Sequence, residues 1–146
     1  MKKIVSVFAL AGLVFFASHN AQAQTEGYEL GLRFGDYFAA GAGIDFAMPL
    51  SANRLHATAD FNSVGVGVTA LYDWQFPFAE GFMFYPGVGA SVLIGDPFLL
   101  GITGDVGVEY QFPFPLTLGI DFRPTIPIVG DYSFRPGWGL NARWRF

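Results

Sequence analysis

Gly137-Trp138-Gly139-Leu140-Asn141-Ala142-Arg143-Trp144-Arg145-Phe146 closes the chain, and the alternation in these ten residues decides the fold. Trp138, Leu140, Ala142, Trp144 and Phe146 are apolar; Gly137, Gly139, Asn141, Arg143 and Arg145 are not. Successive side chains of a strand point to opposite faces, so this stretch reads as a strand with one apolar and one polar face.

The same period of two recurs back through the sequence. Tyr28–Phe34, Phe38–Met48, Leu55–Phe61 and Val64–Phe76 alternate Phe, Tyr, Leu, Ile, Val and Ala with Gly, Thr and charged residues. Phe82–Ile94 is less regular, because Met83, Tyr85 and Leu93 fall on its Gly/Ser face. Phe98–Phe112 and Leu116–Phe122 follow, and the closing strand makes eight. In each clear case the charges fall on the face opposite the apolar residues.

Three turns share the pattern acid–aromatic–x–apolar–Pro: Asp45 to Pro49, Asp73 to Pro77 and Glu109 to Pro113. Proline lacks the ladder N–H, so each is expected to end its strand. These turns join strands two to three, four to five and six to seven, on the side of both termini. On the other side Gly35-Asp36-Tyr37, Asn62-Ser63 and Gly95-Asp96-Pro97 are short connections. Between strands seven and eight, residues 124–136 read as a longer connection stiffened by three prolines. Aromatics gather at both strand ends, with Tyr28, Phe46, Trp74, Phe76, Tyr110, Phe112, Trp144 and Phe146 on the terminal side. Phe34, Phe61, Phe98, Phe122 and Trp138 gather on the other.

Lys2 and Lys3 precede an apolar run from Ile4 to about Ser18 and then Ala21-Gln22-Ala23. A basic start, a short apolar stretch and a small-x-small site have the anatomy of a secretory signal peptide, expected to be removed as residues 1–23. Residues 24–146 then form one domain with 6 Arg, no Lys and 12 Asp plus Glu. That negative balance offers nucleic acid no electrostatic attraction. With no cysteine, an exported chain has no disulfide framework, thiol nucleophile or thiolate metal site. The longest uncharged stretch of the mature part, Gly81 to Gly95, falls short of a membrane-crossing helix. An exported, apolar, sparsely charged chain without such a helix can cross lipid only as a closed barrel.

Alternation does not say which face is outside, but composition does. The polar face is dominated by glycine, too bare for the surface of a soluble barrel, and the other carries the bulky aromatics. The expected fold is therefore an all-β, eight-stranded antiparallel up-and-down transmembrane β-barrel, apolar outside. Its narrow interior would hold Glu29, Arg33, Asp45, His56, Asp60, Asp73, Asp105, Glu109, Asp121, Arg123, Arg143 and Arg145 as a structural ion-pair network. Glycines such as Gly31, Gly107, Gly119 and Gly139 would make room for them.

In its leader, its alternating strands and its terminal Trp144-Arg145-Phe146, the chain resembles the small outer-membrane β-barrels of Gram-negative bacteria. It is similar in size to the OmpA transmembrane domain and the OmpX family. The resemblance implies residence in the bacterial outer membrane, contact with its lipid, and a monomer. It also implies that Trp144 and Phe146 carry the signal read by the barrel-assembly machinery. Its short connections differ from the protruding strands of OmpX, which speaks against an adhesive role.

No spacing singles out a catalytic carboxylate pair, and a lumen network accounts for the acids without catalysis. His56, on the inward face toward the terminal end of strand three, reads as a hydrogen-bonded lumen residue. With no second mature histidine and no cysteine, neither a metal site nor a cofactor is expected. The function expected is that of a structural, non-enzymatic membrane barrel with a side-chain-plugged lumen. The alternatives are a lipid A-modifying outer-membrane enzyme, a small-solute channel and a soluble lipocalin-like carrier.

Overall fold

A computed structural model describes residues 27–36, 39–131 and 133–146. The leader reading at residues 1–23, and Phe38 at the start of the second expected strand, lie outside these residues. The regular structure described is entirely β: β1 (Glu29–Asp36), β2 (Ala40–Leu50), β3 (Asn53–Asn62), β4 (Gly65–Trp74), β5 (Phe76–Ala79), β6 (Phe82–Gly95), β7 (Leu99–Gln111), β8 (Leu116–Val129) and β9 (Arg135–Arg145).

All pairings between neighbours are antiparallel, β1 pairs with β9, and β4 pairs with β6. The sheet therefore closes on itself as a barrel. β5 continues the register of β4 against β6, since Asp73 faces Gly87 and Phe76 faces Phe84, so the nine segments make eight staves. The break between β4 and β5 lies opposite Tyr85 and Pro86, where the proline has no N–H to give the ladder.

Following the register from Arg145 through Glu29, Ala47, His56, Leu71, Gly89, Thr103 and Thr125 leads back to β9 at Arg135. The circuit has advanced ten residues. Such a stagger tilts the strands and sets the bore of a barrel with few staves.

Two expectations about proline are corrected. Pro49 does not end β2, which runs on to Leu50 and turns through Ser51 and Ala52; Pro77 lies inside β5, opposite Met83. The connection expected over residues 124–136 is mostly strand: β8 continues to Val129 and β9 starts at Arg135. Pro124 faces Pro136 across β8 and β9, so both missing donors fall on one rung. On its other side the β7–β8 ladder skips the Pro124 position, resuming at Thr103–Thr125. Beyond Thr125, β8 is paired only with β7, and a strand edge tolerates Pro127.

The inside of the barrel is polar and the outside apolar. Among the described residues, twenty polar or charged residues are buried against five hydrophobic ones, while thirty large hydrophobics are exposed. Around mid-height the outer face presents Ile44, Val68, Val88, Ile102, Val108, Ile120 and Leu140. On the terminal side aromatics touch one another in series, Phe78 on Phe82, Phe82 on Tyr110, Tyr110 on Phe112 and Phe112 on Phe114. Tyr28 stacks on Phe46, with ring centroids 6.2 Å apart, on the same side.

Candidate functional site in the barrel lumen

Inward positions of eight converging staves place residues far apart in sequence within hydrogen-bond reach. Nearest the termini, Arg143 serves three carboxylates at once. Its Nε donates to Glu29 Oε2 at 2.8 Å, its Nη1 to Asp45 Oδ2 at 2.9 Å and its Nη2 to Glu109 Oε2. Arg54 donates through Nη1 to both oxygens of Glu109 (3.0 and 2.8 Å) and through Nε to Asp73 Oδ2 at 3.0 Å. Its guanidinium also lies over the Tyr85 ring, 4.4 Å from the centroid.

Mid-lumen, His56 is fully buried between two carboxylates. Its Nε2 is 2.7 Å from Asp45 Oδ1 and its Nδ1 is 2.9 Å from Asp73 Oδ2, with Asp105 Oδ2 at 3.6 Å. Arg123 Nη2 also lies 3.2 Å from Nε2, but a guanidinium has no acceptor. Nε2 and Nδ1 thus each face a carboxylate oxygen across a hydrogen bond, and the 2.9 Å contact at Nδ1 needs a proton between it and Asp73. Arg123 Nη1 donates to Thr58, and Thr58 donates to Asp45, both at 2.8 Å.

Toward the other end, Arg33 grips Asp121 through Nε (3.2 and 3.1 Å) and Nη2 (2.6 Å) and lies 3.6 Å from Asp60. Asn141 Nδ2 donates to Asp121 Oδ2 at 3.1 Å. Thr69, Ser91, Thr103 and Thr125 form a row of hydroxyls across β4, β6, β7 and β8, spaced 2.8, 2.7 and 2.9 Å. Leu93 and Leu99, fully buried with Val64 against them, make an apolar cluster at that end.

All eleven charged residues that the sequence placed in the lumen are buried here, as is His56, and Arg145 stands apart in its contacts. Its Nη1 donates to Thr117 at 3.2 Å and its Nη2 to the carbonyls of Phe112 and Phe114 at 2.7 and 2.9 Å, clamping the β7–β8 turn. Trp144 and Phe146 are not lumen residues. Phe146 is exposed, and its backbone N–H donates to Tyr28 O at 3.0 Å.

Sequence reading missed Arg54, because the third strand was started at Leu55. The strand begins at Asn53, and 54 has the parity of His56, Thr58 and Asp60, which is the signal that would have found it. Buried arginines therefore number five among the described residues, against seven buried carboxylates.

Two glycines show how the lumen holds so much. A Cβ at Gly107 would sit 2.1 Å from Tyr85 Cζ, and one at Gly139 would sit 2.6 Å from Arg33 Cζ. The Tyr85 ring and the Arg33 guanidinium lie flat on bare backbone. Gly107→Val is therefore expected to destabilise the barrel by roughly 1–3 kcal/mol through overpacking. Adding Tyr85→Leu to that variant should recover part of the loss; urea unfolding of both in micelles is the check. Equal stability of Gly107→Val and wild type would show that the ring has room to move.

Near the termini, Gly27, Glu29, Ala47, Met48, Pro49, Arg54, Gln75 and Gln111 line a cavity of about 20 Å³. That is room for about one water. Comparison with protein families, with curated proteins and with solved structures finds no match to this chain.

Proposed function

We propose that the protein is an exported, integral outer-membrane β-barrel, of the kind represented by the OmpA transmembrane domain and the OmpX family, with a structural rather than enzymatic role. The observation that carries this reading is the inversion of polarity, charge inside and hydrophobic side chains outside. A bilayer is the solvent that rewards such a surface, and aromatic residues at the strand ends suit its interfaces. In water the same exposed surface would be an association hazard.

The interlocked lumen supports a barrel without a steady open pore. Arg33, Arg54 and Arg143 reach past their neighbouring staves to Asp121, Glu109 and Asp45, Arg123 reaches Thr58 on β3, and breaking such buried contacts is costly. A lipid A-modifying hydrolase would need a nucleophile, a base and an orienting acid together at a rim. Among the described residues the one buried serine, Ser91, instead bonds with Thr69 and Thr103. A lipocalin-like carrier would need an apolar cavity, whereas this lumen is polar and filled.

Planar-bilayer recording of the refolded protein at high salt tests the reading. The expected result is no stable open state and, at most, rare small events. Steady, reproducible unitary currents would replace this function with that of a small-solute channel.

A further inference from the structure

Seven buried carboxylates against five buried arginines leave the lumen with two negative charges in excess if His56 is uncharged. Buried charge of one sign does not persist uncompensated. Three of the buried side-chain oxygens without a hydrogen-bond partner lie together. Both oxygens of Asp105 and Oδ1 of Asp73 are buried without a hydrogen-bond partner, and these two side chains flank His56 Nδ1.

His56, Asp73 and Asp105 each present one ligand atom, and the three atoms lie within 4.8 Å of one another. Nδ1 is 2.9 Å from Asp73 Oδ2 and 3.6 Å from Asp105 Oδ2. Metal bonds of about 2.0–2.2 Å to imidazole nitrogen and carboxylate oxygen set ligands roughly 2.9 Å apart at a right angle and about 3.4 Å apart in a tetrahedron. The observed separations fall at these edges.

We propose that His56 Nδ1, Asp73 and Asp105 bind one divalent transition-metal cation of the zinc class inside the barrel. Asp45 supplies the outer contact such a site needs. It accepts the Nε2 proton of His56, and the ion takes the place of the proton between Nδ1 and Asp73, which is released on binding. With a neutral imidazole, two positive charges bring the buried set to zero.

Arg54, on Asp73, and Arg123, 3.5 Å from Asp105, face the same carboxylates and compete with the ion. The surplus of acids is what leaves it a place. One nitrogen and a pair of carboxylates suit zinc or manganese better than calcium, which takes six to eight oxygens. Spacing along the sequence could not reveal this set, because its members come from β3, β4 and β7.

The test is to refold the protein in detergent micelles with zinc, with manganese or with EDTA, then exchange it into metal-free buffer. Elemental analysis should find about one zinc or manganese per chain. The EDTA-refolded protein should melt lower by roughly 5–10 °C. Asp105→Asn should lose at least nine-tenths of the bound metal. No stoichiometric metal in wild type, with equal melting under all three conditions, would overturn the proposal and leave two bound protons as the balancing charges. Full retention of metal by Asp105→Asn would overturn the assignment of the site. If that variant does not fold, His56→Gln serves in its place, and the wild-type measurement decides by itself.

Discussion

Arg143→Ala is expected to lower the stability of the barrel by about 3–5 kcal/mol, the loss that follows when one partner of a buried ion network is removed. One guanidinium holds Glu29, Asp45 and Glu109 from three different staves, β1, β2 and β7. Glu109 keeps Arg54 and Asp45 keeps His56, but Glu29 loses its close cation and keeps only the Thr117 hydroxyl at 2.8 Å and Arg54 at 3.9 Å. Arg143→Lys should recover only part of the loss, since an ammonium is a point charge and cannot fork to three carboxylates. Reversible urea unfolding in phospholipid vesicles measures both. A loss below about 1 kcal/mol for Arg143→Ala would mean that the network contributes little and that hydration replaces it easily.

On the opposite face of the same strand, Leu140→Arg is expected to cost roughly 2–4 kcal/mol and to slow insertion. Leu140 is 53% exposed and sits at mid-strand, opposite Phe34 on β1 and Ile120 on β8. In a bilayer that exposure is to hydrocarbon. Leu140→Ala should cost much less, because it shortens an apolar contact without carrying charge into lipid. If the outer face met water instead, Leu140→Arg would be neutral or would improve solubility, so the sign of the effect separates the two surroundings.

Much of the architecture was legible because a side-chain period of two survives any local irregularity. The parity of Trp138 to Phe146 assigns Asn141, Arg143 and Arg145 to the lumen without knowledge of any other strand, and all three are buried. Strand ends were less legible. Proline was read as a terminator at Pro49 and Pro77 and as part of a stiff connection at Pro124, yet a strand accepts it at rungs where no donor is needed, as the facing pair Pro124 and Pro136 shows. That error hid the last seven residues of β8, and a late start for the third strand hid Arg54. Pairing inside the lumen was not legible at all. Which carboxylate each arginine reaches depends on stagger and tilt, and those emerge only when the sheet closes.

The central claim, that the apolar outer face lies against lipid, is tested most directly with brominated phospholipids. Trp74 and Trp138 are exposed on the outer wall, and Trp144 is partly so. When the protein is folded into vesicles whose acyl chains carry bromine, most of the tryptophan emission should be quenched relative to unbrominated vesicles. Unchanged emission, together with a monodisperse folded monomer in detergent-free buffer, would contradict the account.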